Sequence, residues 1–108
     1  MIYISGGSKA QRDLAESLYI FCSQELLIKK SIDVDLKIQD LTHAQAWTDH
    51  EGDGKFYLEI EKNLNKKQFI VAFCHEMIHV TQHLQKKPVS EHEAYQLECG
   101  LVNKFIGQ

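Results

Sequence analysis

The residues whose types and spacing carry the clearest chemistry are His75-Glu76-Met77-Ile78-His79, two imidazoles four positions apart with a carboxylate after the first. On a helix, about 100° per residue leaves positions 75 and 79 roughly 40° apart, so both rings leave one face. Two imidazoles so placed can grip a single metal ion. Glu76 sits roughly 60° further round, close to that ion without having to ligate it. Imidazole nitrogen suits Zn2+, and a catalytic zinc needs a third protein ligand and an open position for water. Four of the six histidines, His75, His79, His83 and His92, fall within eighteen residues, which marks out the same stretch.

The motif needs a helix to hold it, and the pattern supplies one from Lys66 to about Gln85. Phe69, Ile70, Phe73, Met77, Val80 and Leu84 occupy the arc roughly opposite the two histidines, and Cys74 is expected to join that core. Lys86-Lys87-Pro88 ends this helix, and Ser90-Glu91-His92-Glu93 opens another that runs to about Ile106. Its expected core stripe is Ala94, Leu97, Leu101 and Phe105. The third ligand is expected from this second helix, with Glu91, His92, Glu93 and Glu98 as candidates. Ser90 with Glu93 three residues later also reads as a capping box, a structural use for Glu93 that competes with a ligand role. Glu91 is two residues away on a different face, so the two carboxylates cannot both ligate. The plain alternative is an amphipathic helix whose histidines only meet solvent.

Upstream, Ile2-Tyr3-Ile4 is a short β-prone start ended by Gly6-Gly7, and Ser8 with Gln11 forms a capping box. Leu14, Leu18, Phe21, Cys22 and Leu26 then predict a helix from about Lys9 to Ile28, with Lys29-Lys30 at its carboxyl end. Ile32, Val34, Leu36 and Ile38 alternate with polar residues and predict a strand. Ala44 to Asp49 and Lys55 to Ile60 predict two more, joined through Glu51-Gly52-Asp53-Gly54 as a hairpin. The expected fold class is α+β: an N-terminal helix, a small, mostly antiparallel sheet of three or four strands, and two C-terminal helices.

Composition bounds the partners. The 108 residues are expected to form one domain, 1–108, with 44% hydrophobic and 25% charged residues, an ordinary globular balance. Twelve basic against fifteen acidic residues give a net charge of −3, with no basic surplus to drive binding to nucleic acid or an anionic membrane. The longest apolar run, Phe69 to Cys74, is far short of a membrane span. The start lacks the charged and apolar regions of a signal peptide, and the three cysteines lack a CxxC pair, so a soluble, cytoplasmic chain with reduced thiols is expected. Oligomeric state is not legible.

An HExxH helix followed by a helix bearing ExxA resembles the gluzincin metallopeptidases. The compact ImmA/IrrE-type forms and the single-domain minigluzincins look most similar. The resemblance covers roughly residues 32 to 106 in architecture, while in residue identity it rests on the two short motifs. It implies a minimal zincin-like domain with one Zn2+ per chain, held by His75, His79 and Glu91, the Glu three before Ala94. The implied reaction is peptide-bond hydrolysis, with a zinc-bound water activated by Glu76 as general base and then acid. The implied substrate is a polypeptide lying extended along an edge strand, Ala44 to Asp49 or Lys55 to Ile60, where Trp47 and Tyr57 face outward. The family carries Asp or Asn four residues after the ligand, and this chain has Tyr95, so the usual support of a ligating histidine must come from elsewhere. Tyr95, His83 and His92 are candidates for supporting a ligand or the transition state. The competing functional reading is a domain that binds zinc yet is latent or catalytically silent and acts by binding a protein partner.

Overall fold

The computed structural model describes residues 1–42 and 44–108. In chain order the elements are β1 (Ile2–Gly6), α1 (Lys9–Glu25), β2 (Asp33–Gln39), β3 (Ala46–Gly52), β4 (Lys55–Glu61), α2 (Lys66–Leu84) and α3 (Glu91–Ile106). The α+β expectation holds: three helices pack with one four-stranded sheet of order β1-β2-β4-β3.

The sheet is not mostly antiparallel. β1 pairs parallel with β2, and β2 parallel with β4; β3 and β4 alone are antiparallel. The cause is topological. α1 carries the chain back over the sheet, so β2 runs alongside β1 in the same direction. The hairpin then places its second strand inside, next to β2, and leaves its first strand outside. β3 is therefore an edge, and Lys55–Glu61 is interior. The hairpin turn is Asp53-Gly54, both at positive φ, the conformation that a two-residue turn matching strand twist requires.

Val34, Leu36, Ile38, Phe56, Leu58 and Ile60 point from one face of the sheet into the core. They share that core with Ala15, Leu18, Phe21 and Cys22 of α1 and with α2. Cys74 joins the core as expected, and α2 is buried on more than the expected arc, since Ala72 and Ile78 are also covered. It packs against β3 and β4 of the sheet, against α1 and against α3. Cys22 and Cys74 meet with Sγ atoms 3.9 Å apart, and each other's proximity together with burial pushes the Cys22 thiol up, so it stays protonated.

Local chemistry sets the helix limits. Ser8 and Gln11 make the expected capping box of α1, and Asn65 with Gln68 makes an unexpected one for α2. α1 stops at Glu25, earlier than expected, because Leu27 turns to φ 53°, and Lys29-Lys30 lie beyond its last turn. α2 closes with Lys86 at φ 57°: the Lys86 N–H donates to the His83 carbonyl and the Lys87 N–H to that of Gln82. This 5→2 and 6→1 pair turns the chain sharply before Pro88 and sends α3 back along α2. Leu97 is 48% exposed and not in the core; Val102 takes that place beside Ala94 and Leu101. No described helix is long and apolar enough to cross a membrane.

Candidate metal centre

Antiparallel packing of α2 on α3 brings two stripes together. On α2, His75, His79 and Gln82 are spaced by four and three; on α3, Glu91, Tyr95 and Glu98 are spaced likewise. Each triplet therefore shares one helix face. Where the stripes meet, His79 Nε2 lies 2.7 Å from Glu91 Oε1, His75 Nε2 lies 3.1 Å from Glu91 Oε2, and the two Nε2 atoms are 3.2 Å apart. His75, His79 and Glu91 thus form a group that could hold a metal ion, with ligand atoms all within 4.8 Å of one another.

The hydrogen bonds behind the rings decide what the converging atoms offer. His75 Nδ1 is 3.0 Å from Glu98 Oε2, and His79 Nδ1 is 2.8 Å from Gln82 Oε1. Both partners are acceptors, so each Nδ1 carries a proton and the neutral ring keeps its lone pair on Nε2. Two nitrogen lone pairs and a carboxylate then face one another across about the distance that separates ligands on a tetrahedral zinc, roughly 3.3 Å for bonds of about 2.0–2.1 Å. A proton on one ring satisfies some of these contacts; a divalent cation satisfies all three together. The donor set fits Zn2+.

Glu98, one of the four carboxylate and imidazole candidates for third ligand, is instead the partner of His75, with its side chain 16% exposed. It lies seven residues after Glu91 and supplies the support that the residue at 95 does not. Tyr95 is 62% exposed, with its ring centroid 4.9 Å from that of His75, and forms part of the cleft rim. Glu93 does not reach the two histidines; its carboxylate accepts from Gln82 Nε2 at 3.0 Å. The expected capping box at Ser90 is half formed. Ser90 Oγ accepts from the Glu93 N–H, but the Ser90 N–H donates to Gln82 and not to Glu93. His92 is exposed and lies outside the residues that line the cleft.

The cleft is open, about 490 Å3, and one wall is formed by Ala46, Trp47 and Thr48 of β3 together with Gln45 just before it. Glu76 projects into it from the same helix as the histidines, and Thr48 Oγ1 donates to its Oε1 at 2.6 Å. Burial pushes the Glu76 carboxyl above its ordinary value; Thr48 and the two imidazoles oppose that rise, and Glu91 adds to it. His83 lines the same cleft one turn beyond His79, against His50 and Phe56. Burial, then His50 and His79, hold it below the usual histidine value, with Asp49 opposing, so it stays neutral near pH 7. Trp47 and Tyr57 sit on the outer face of the hairpin and both donate to Glu59, a bond that pushes the Tyr57 hydroxyl up to about 12.

Thr48 and Gln82 carried no sequence signal of their own. Gln82 was nevertheless findable from spacing, because it completes the His75–His79 stripe. No family model matches the sequence, and neither a curated protein nor a solved structure does.

Proposed function

We propose that this chain is a zinc-dependent metallopeptidase of minimal zincin-like form, hydrolysing peptide bonds in an extended polypeptide. The observation that carries the reading is the meeting of three lone-pair-bearing groups, His75, His79 and Glu91, beside a buried carboxylate and an open edge strand. When bound, Zn2+ supplies Lewis acidity and a water of lowered pKa. The chain's own residues do the rest. His75, His79 and Glu91 hold the ion. Glu76 takes the proton of the attacking water and returns it to the leaving amine, for which a carboxyl raised above its ordinary value is suited. The unpaired side of β3 can receive the substrate backbone as an added strand, which sets the scissile bond against the cleft. Neutral His83 stands ready to donate a hydrogen bond to a polarised carbonyl oxygen.

The test is cleavage of unstructured polypeptides by the zinc-loaded full chain, read as new amino termini by mass spectrometry. Cleavage that stops on chelation and returns with zinc is expected. Zinc-loaded protein that cleaves nothing across a diverse peptide library overturns the peptidase reading and leaves a zinc-binding interaction domain.

Thr48 gives a finer check. Its hydroxyl stabilises the ionised form of Glu76, so Thr48→Val raises that carboxyl further. The acid limb of the pH–rate profile then moves to higher pH, because the base must be ionised to work. On the acid limb activity is expected to fall about tenfold at a given pH, the worth of one charge-assisted hydrogen bond, with zinc content unchanged. An unmoved acid limb means that Thr48 does not act on the base.

A further inference from the structure

Gln82 is 1% exposed, and both ends of its amide are fully used. Nε2 donates to the Ser90 carbonyl at 3.1 Å and to Glu93 Oε1 at 3.0 Å. Those partners accept only, which fixes the amide's orientation and turns Oε1 toward His79 Nδ1 at 2.8 Å and the Ser90 N–H at 3.2 Å. A glutamine offers two donor hydrogens and two acceptor lone pairs, and this one satisfies all four.

We propose that Gln82 is a positioning residue for the metal centre, a buried amide that aims His79 and at the same time fixes the residue preceding Glu91. The inference rests on the metal reading above and adds to it a coupling between two ligands on different helices. His79 receives its orientation from Oε1. Glu91 receives its position from Ser90, whose N–H and carbonyl are both held by the same amide. Between the ligands lies the turn at Lys86 to Pro88, which no side chain of the ligand set spans; Gln82 closes it from inside. The two histidines are accordingly held by unlike partners, a carboxylate for His75 and a neutral amide for His79.

The experiment is zinc affinity of the full chain, measured by competition with a fluorescent chelator. Three proteins are compared: wild type, Gln82→Met, and the double substitution Gln82→Glu with Glu93→Gln. Met fills the same space without polar atoms. In the double substitution a carboxylate oxygen still accepts from His79 and the Ser90 N–H, and the amide at position 93 donates to it, while the Ser90 carbonyl loses its donor. Gln82→Met is expected to weaken zinc binding about 10- to 100-fold, and the double substitution to lose less, staying within about tenfold of wild type. A purely structural role predicts the opposite order, since a buried carboxylate is harder to accommodate than Met. Equal affinity of Gln82→Met and wild type overturns the proposal while leaving the metal centre standing. Should Gln82→Met fail to fold, the double substitution decides: a loss of less than about tenfold supports the role, and a larger loss overturns it. Wild type without zinc affinity removes the centre, and this inference with it.

Discussion

Glu76→Gln is expected to lower peptide hydrolysis by about a thousandfold while zinc stays bound at full occupancy, since a general base contributes about 10²–10⁴ and is not a ligand. Gln keeps an oxygen to accept the Thr48 hydroxyl, so the packing of β3 against α2 survives the change. The substitution has a second expected effect, on stability. Burial raises the folded-state Glu76 carboxyl above its unfolded value, so between the two values the folded state binds the extra proton and stability falls as pH rises. Above both, the full cost of a buried carboxylate remains. Metal-free Glu76→Gln should therefore unfold at a higher temperature than metal-free wild type at pH 7–8. The difference should close as pH falls through the ordinary carboxylate range. Retained hydrolysis would remove Glu76 from the mechanism, and a variant less stable than wild type at neutral pH would contradict the direction of its shift.

Glu91→Gln is expected to weaken zinc binding by about two orders of magnitude or more, beyond the 10- to 100-fold typical of residues that only support a ligand. Its carboxylate contacts both Nε2 atoms, and an amide in its place brings no charge to offset the ion's. Glu91 is 60% exposed, so the loss cannot be attributed to a damaged core. Glu93→Gln makes the contrast. Its oxygen still accepts from Gln82 Nε2, and it is expected to leave zinc affinity nearly unchanged. If isothermal titration shows the two in reverse order, the third ligand is Glu93 and not Glu91.

The two C-terminal helices were legible because their signals are local. The periodicity opposite His75 and His79, the break at Pro88 and the spacing of Glu91 before Ala94 need no information from elsewhere in the chain. The order of the strands was not. Alternation in Val34, Leu36 and Ile38 tells which face each side chain takes but not which strand lies beside it. The parallel pairings of β2 follow from a crossover and from which strand of the hairpin turns inward, both long-range choices. Leu97 misleads for a related reason: it fits a helical stripe, yet among the described elements α3 meets α1 and α2 alone, and Leu97 stays 48% exposed. Within the site, the sequence shows Glu98 as a carboxylate on the right helix, and its use by His75 depends on the antiparallel packing that puts position 98 opposite position 75. Thr48 needed the strand order first, because only an edge position for β3 places its hydroxyl against Glu76.

The most direct test of the metal centre is the zinc content of the purified full chain, by elemental mass spectrometry, beside His79→Ala and Glu91→Ala. One zinc per chain in wild type, lost in both variants, is the expected result. Wild type that takes up no zinc after reconstitution, or variants that retain it, would contradict the assignment of His75, His79 and Glu91 as its ligands.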